Sequence, residues 1–197
     1  MGMSQADEEI GIAGEHYDVL PQHVRTANAD KIEVNEVFAY SCGHCFNFQA
    51  ELHPWVNQLP ADVDFQSTPA IWQAKMEPYA RAYYAAKILK TLDKVHMPIF
   101  EAIHLQKKPV RSEADFAEIF IANGVDKEKF ASAFNSFGTT SMLTQAKSRV
   151  RAYKVRGTPE IIVNGKYRIS STKAGGFSGM LKVAEFLIDK ERGLTAK

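Results

Sequence analysis

The chain has 197 residues, 45% of them hydrophobic, with 24 basic side chains against 23 acidic ones and a formal net charge of +1. That balance leaves no electrostatic case for nucleic acid or an anionic membrane surface, and no apolar run reaches the ~18 residues that a transmembrane helix needs. Twelve Phe, seven Tyr and two Trp supply enough core material to exclude disorder, and neither an internal repeat nor a low-complexity stretch is found.

Residues 1–14 are read as a disordered tail or cloning remnant. Met1-Gly2-Met3-Ser4 leads into polar, acidic Gln5 to Glu9, which is not the basic-then-apolar plan of a signal peptide. The chain is therefore expected to be cytosolic or the mature form of an exported protein. The confinement of cysteine to a single motif tilts the expectation toward export.

Tyr17-Asp18-Val19-Leu20 before Pro21 is a short strand, and Lys31 to Ala39 a stronger one that ends in the apolar run Val37-Phe38-Ala39. From Cys45 to Val56 the apolar spacing is helical, with a kink expected at Pro54. Val63-Asp64-Phe65 starts another strand, which completes β-α-β. The stretch 71–148 reads as five helices, over Glu77 to Leu92, Val95 to Leu105, a third opened by a Ser112–Asp115 capping box and ended by Gly124, a fourth capped by Asp126, and Thr140 to Tyr153. The fourth is expected to carry Phe130, Phe134 and Phe137. Glu160 to Val163 and Lys166 to Ile169 then flank Asn164-Gly165, a type I′ hairpin signal. Lys173 to Gly176 reads as a flexible loop, and Ser178 to Arg192 as a closing amphipathic helix. The order β-β-α-β, helical block, α-β-β-α predicts an α/β thioredoxin fold with an inserted all-helical domain. Residues 15–70 and 149–197 form the discontinuous thioredoxin-like part, and 71–148 the insertion.

Cysteine usage is the sharpest signal. The only two, Cys42 and Cys45, form a C-x-x-C. So short a loop removes little unfolded-state entropy when closed, so the pair points to chemistry and not to a structural staple. A strand-to-helix setting puts Cys42 at a helix N-terminus, where unpaired N–H groups and the helix dipole favour thiolate. His44 can add charge or a hydrogen bond. Cys45, one turn in, is expected to be buried and to act as the resolving thiol, with Cys42 the nucleophile. Half of a zinc site and a coincidental pair of core cysteines are the rival readings. Pro159 in Gly157-Thr158-Pro159 is either a strand starter or a cis-proline facing the motif, where Thr158 could meet an added peptide strand. Glu36 is either a sheet-edge residue or a buried carboxylate able to exchange protons with Cys45.

Phe38-x-Tyr40-x-Cys42-x-His44-Cys45, Phe100-Glu101-Ala102-Ile103, Asn135-Ser136-Phe137, Gly157-Thr158-Pro159 and Val163-Asn164-Gly165-Lys166-Tyr167 resemble the DsbA family of bacterial periplasmic thiol:disulfide oxidoreductases. The resemblance runs from about residue 15 to 192. It implies a strongly oxidising protein that donates a Cys42–Cys45 disulfide to cysteine-containing secreted proteins as they fold, then is reoxidised by a membrane partner of DsbB type. It also implies a monomer in the periplasm, with no cofactor beyond that disulfide, no metal and no nucleic acid. Catalytic roles fall on Cys42, Cys45, His44 and Glu36, and substrate binding on Gly43, Thr158 and Pro159. Three positions depart from the family's usual pattern. Gly43-His44 stands where Pro-His is commonest, Thr158 where Val is frequent, and Ser67 where some members carry a lysine. A disulfide reductase or isomerase using the same motif, and a non-redox chaperone or zinc-binding module, are the alternatives.

Overall fold

In the computed structural model, which describes residues 11–195, Ile32–Phe38 is buried along its whole length, as a strand covered on both faces must be. Elements follow in the order β1 (Asp18–Val19), β2 (Ile32–Phe38), α1 (Gly43–Val56), β3 (Val63–Pro69), a 3-10 turn (Ala74–Met76), α2 (Glu77–Leu89), α3 (Leu92–His104), α4 (Glu113–Ala122), α5 (Lys127–Phe134), α6 (Phe137–Ala152), β4 (Glu160–Val163), β5 (Tyr167–Ser170), α7 (Ser171–Ala174) and α8 (Phe177–Thr195). The five strands form one sheet in the order β1-β5-β4-β2-β3. With the helices placed between β3 and β4 along the chain, this is the thioredoxin fold with a helical insertion.

The chain divides into two compact units. One comprises residues up to Phe38, Asn47–Thr68, and Arg149 onward; the other comprises Ala39–Phe46 and Pro69–Ser148. The sequence reading assigned 39–46 to the sheet-bearing part. These residues group instead with the helices, because Tyr40 and Phe46 place their rings against Phe100 at 4.9 and 6.0 Å.

In the sheet unit, Ile32 and Val34 of β2, Ile161 and Val163 of β4 and Ile169 of β5 pack with Phe48 and Leu52 of α1 and with Met180, Ala184 and Leu187 of α8. The β4–β5 hairpin turns at Asn164 (φ 49°) and Gly165 (φ 61°), the double positive φ of a type I′ turn. Gly165 is required there twice over, since a Cβ would come within 1.9 Å of the Val24 carbonyl oxygen. Glu191 of α8, 1% exposed, staples the hairpin. Its carboxylate accepts from Asn164 Nδ2 (2.5 Å), Lys166 Nζ (2.6 Å) and the Tyr167 hydroxyl (3.0 Å). In the helical unit the Ser112–Asp115 capping box opens α4, and Asp126 caps α5 through the Lys129 N–H at 2.9 Å.

Four local expectations need correction or relocation. Residues 1–10 of the expected tail lie outside the described residues, but residues 11–14 are ordered in a turn. Gly14 (φ 87°) donates its N–H to Tyr17 O at 2.7 Å and accepts Lys173 Nζ at 2.8 Å. Lys173 and Ala174 belong to the one-turn helix α7, which Gly175 ends in the left-handed region at φ 75°. Phe137 opens α6 and is exposed, so it does not join Phe130 and Phe134 in the core of α5. Pro54 lies in the last turn of α1, which ends two residues later.

Candidate active site

β2 ends at Phe38, and Ala39 to Ser41 carry the chain into α1. Cys42 caps that helix. Its carbonyl accepts the first intrahelical bond from the Phe46 N–H at 3.1 Å, and its sulfur accepts the Cys45 N–H at 3.2 Å. The sulfur thus takes the place of the Ser or Asp oxygen that usually satisfies an N-terminal amide. No carboxylate occupies the first turn to compete for the positive end of the helix. Cys42 is part-exposed and Cys45 is 0% exposed. Gly43 and His44, between them, are exposed.

Two histidines of α3, which the sequence did not single out, hold the segment that leads into the motif. His96 Nδ1 meets the Tyr40 hydroxyl at 2.8 Å, and His104 Nε2 donates to the Tyr40 carbonyl at 2.7 Å. The His104 ring also stacks on Phe46, at 5.3 Å and 13° between planes. A Cβ at Gly43 would sit 3.9 Å from His104 Nδ1, in ordinary contact. The available signal was the spacing of His96, Phe100 and His104, which share one helical stripe.

Within the sheet unit, Glu36 is 1% exposed. Its two oxygens accept from Gln49 Nε2 at 2.9 Å and from the Ser67 hydroxyl at 3.2 Å. The buried-carboxylate reading of Glu36 therefore describes its environment, and Gln49 and Ser67 are the partners that sequence alone did not single out. On the opposite face of β2, Glu33 takes the Tyr153 hydroxyl at 3.3 Å and the Ala27 N–H at 2.7 Å, with Arg149 at 3.4 Å.

The Thr158–Pro159 peptide bond is cis. β4 pairs antiparallel with β2, Glu160 opposite Val37. Continued by one residue, that register sets Pro159 level with Phe38, from which the chain reaches Cys42 four residues later. Among the described residues, no group of three or more His, Cys, Asp or Glu side chains is set to hold a metal ion, so the zinc reading finds no ligand set there.

A cysteine pair capping the helix after a buried strand of a thioredoxin sheet defines the thioredoxin class of dithiol–disulfide exchangers. Comparison with known proteins narrows the class. Residues 60–182 match the DSBA-like thioredoxin domain. The chain is 37% identical to the thiol:disulfide interchange protein DsbA of Azotobacter vinelandii over 190 residues, covering 96% of this chain and 87% of that one. It is 38% identical to DsbA of Pseudomonas aeruginosa over 194 residues, covering 98% and 91%. The crystal structure of Pseudomonas aeruginosa DsbA superposes with a TM-score of 0.91, over 94% of this chain and 97% of that one. The chain belongs to the DsbA-like thioredoxin-domain family and is a thiol:disulfide oxidoreductase.

Proposed function

We propose that the protein oxidises cysteine pairs in exported proteins as they fold, with Cys42 as the exchanging sulfur and Cys45 as its resolving partner. In the oxidised form, a substrate thiolate attacks Cys42 Sγ. The Cys42–Cys45 bond breaks, and Cys45 leaves as a thiolate that takes up a proton. The second substrate thiolate then attacks the substrate sulfur of the mixed disulfide and expels Cys42 as a thiolate. Two substrate thiols become a disulfide and the protein's disulfide becomes a dithiol, so electrons balance with no further cofactor. Each departure of Cys42 is eased by what favours its thiolate, namely the Cys45 N–H, the helix N-terminus and His44. The observation that carries this reading is the Cys45 N–H on the sulfur of the part-exposed cysteine, with the other cysteine buried.

Glu36 is assigned the exchange of protons with Cys45. Substrate binding is assigned to Gly43, Thr158 and Pro159, with an extended peptide docking as an added strand on Thr158 and Pro159. Among the described residues no helix is long and apolar enough to cross a membrane. The reading places the mature chain in the periplasm as a monomer, returned to its disulfide form by a membrane reoxidant of DsbB type.

The test mixes oxidised protein with a reduced, unfolded peptide bearing two cysteines and counts thiols after acid quenching. Two peptide thiols should vanish for each pair that appears on the protein. Peptide thiols that persist while the protein stays oxidised would refute the reading. A reductase in the physiological sense would instead open a preformed peptide disulfide more readily than it forms one.

A further inference from the structure

The chain enters α1 through one turn, closed by the Cys42 N–H on the Ala39 carbonyl at 3.0 Å. Tyr40 is the second residue of that turn and is 1% exposed. The turn's own bond bypasses the Tyr40 carbonyl, and His104 Nε2 takes it at 2.7 Å. A carbonyl only accepts, so Nε2 carries its proton whether the ring is neutral or charged, and the bond persists in both states. His104 Nδ1 is left on the side of Gly43, 3.9 Å from where a Cβ would stand. The ring is itself held, stacked on Phe46 and with Phe100 at 6.1 Å.

The other histidine of the stripe acts on a different part of the same residue. His96 Nδ1 meets the Tyr40 hydroxyl at 2.8 Å and so anchors the tip of the side chain. His104 instead fixes the peptide plane between Tyr40 and Ser41, which sets the direction in which the chain reaches Cys42. A buried carbonyl that loses its donor is costly, so without His104 that plane gains by turning toward another partner. The two redox states feel this differently. In the oxidised protein the covalent bond to Cys45 keeps the Cys42 sulfur in place. In the reduced protein the sulfur relies on the turn for its contact with the Cys45 N–H at 3.2 Å. A clamp on the turn therefore favours the reduced state, because it secures a donor for the thiolate.

We propose that His104 is a positioning residue that, through the Tyr40 carbonyl, holds Cys42 at its helix end and so makes the cysteine pair a stronger oxidant. The proposal rests on the reading of Cys42 as the exchanging thiolate given above.

The test separates the donor of His104 from its ring. His104→Phe keeps an aromatic ring against Phe46 and loses the donor, whereas His104→Gln loses the ring and keeps an N–H at the reach of Nε2. Each is compared with wild type by thiolate absorbance against pH and by redox equilibrium with glutathione. His104→Phe should raise the Cys42 pKa and lower the equilibrium constant for reduction of the pair by glutathione about tenfold. His104→Gln should retain most of the wild-type value. His104→Leu, which also lacks the donor, should match His104→Phe and replaces it where the larger ring does not fit. An unchanged equilibrium in the variants without a donor would overturn the proposal. So would a loss in His104→Gln equal to theirs, which would place the effect on the ring or its charge. A wild-type Cys42 that titrates as an ordinary thiol, at about 8.5, would overturn the exchanging-thiolate reading itself, and the proposal with it; that outcome is read without any variant.

Discussion

The backbone N–H of Cys45 donates to the sulfur of Cys42 across 3.2 Å, while Cys45 itself is fully buried. One residue thus stabilises its partner's sulfur and withholds its own from solvent. Reduced protein treated with iodoacetamide below about pH 6 should carry the label on Cys42, because the thiolate is the nucleophile and the free thiol ionises only near 8.5. Peptide mapping by mass spectrometry reads the site. Equal labelling of both cysteines would reject the division of roles.

His44 is exposed between the two cysteines, and no other side chain lies between them, since Gly43 has none. His44→Ser should raise the Cys42 pKa, seen as a shift in thiolate absorbance against pH. The shift should be limited because the Cys45 N–H and the helix end remain; each pKa unit corresponds to about 1.4 kcal/mol. An unchanged titration would make His44 a spacer.

Buried Glu36 and Gln49 form a trio with half-buried Ser67, in which both carboxylate oxygens have donors. Glu36→Ala would remove the carboxylate that accepts from the buried Gln49 amide and should cost about 1–3 kcal/mol in chemical denaturation. Glu36→Gln keeps the volume but cannot exchange protons. It should slow release of oxidised peptide more than it slows formation of the mixed disulfide, as stopped-flow with acid quenching would show. Equal effects on both steps would remove Glu36 from proton handling.

Glu191 should govern part of the acid limb of stability. Burial alone would raise its carboxyl, but hydrogen bonds from Lys166, Asn164 and Tyr167 outweigh that and hold it below the ordinary glutamate value. Burial, then the Glu191 carboxylate, pushes the Tyr167 hydroxyl up to about 12, so it remains a donor throughout the acid range. The folded state therefore binds the Glu191 proton less tightly than the unfolded state does. The associated stability is fully present above the unfolded value of about 4.3 and is lost as pH falls through the lower folded value. Glu191→Gln should cost about 1–3 kcal/mol at pH 7 and flatten the decline between about pH 5 and pH 2. Denaturant midpoints across that range decide, and an unchanged slope would contradict the assignment.

The features legible in the sequence were those carried by near neighbours. Ser112 and Asp115 lie one helical turn apart and make their capping box. Asn164-Gly165 specify their own turn, and Cys42 to Cys45 reveal a helix N-terminus by following an apolar strand. What escaped depends on partners distant along the chain. Tyr40 and His104 are 64 positions apart, Glu36 and Ser67 are 31 apart, and Asp18 and Arg168 are 150 apart. No local pattern encodes such pairings, because each side chain alone reads as an ordinary surface or core residue. Glu160 shows the limit in another way. A carboxylate opening an apolar strand looks like an edge residue, yet Glu160 is buried, with Arg168 Nε 3.7 Å from its Oε2. Lys173 and Ala174 were misread as loop because Gly175 and Gly176 follow them, when Gly175 instead ends a helical turn.

A Cys42 thiolate favoured by the fold would make the reduced protein the comfortable state and the disulfide a ready donor. The most direct measurement is the redox equilibrium of the Cys42–Cys45 pair against glutathione, read by tryptophan fluorescence or by alkylation and mass spectrometry. The protein should become half reduced with only a small proportion of reduced glutathione present, oxidising the rest. A pair that stays a disulfide under millimolar reduced glutathione would contradict the oxidising role and leave the motif to a reductase.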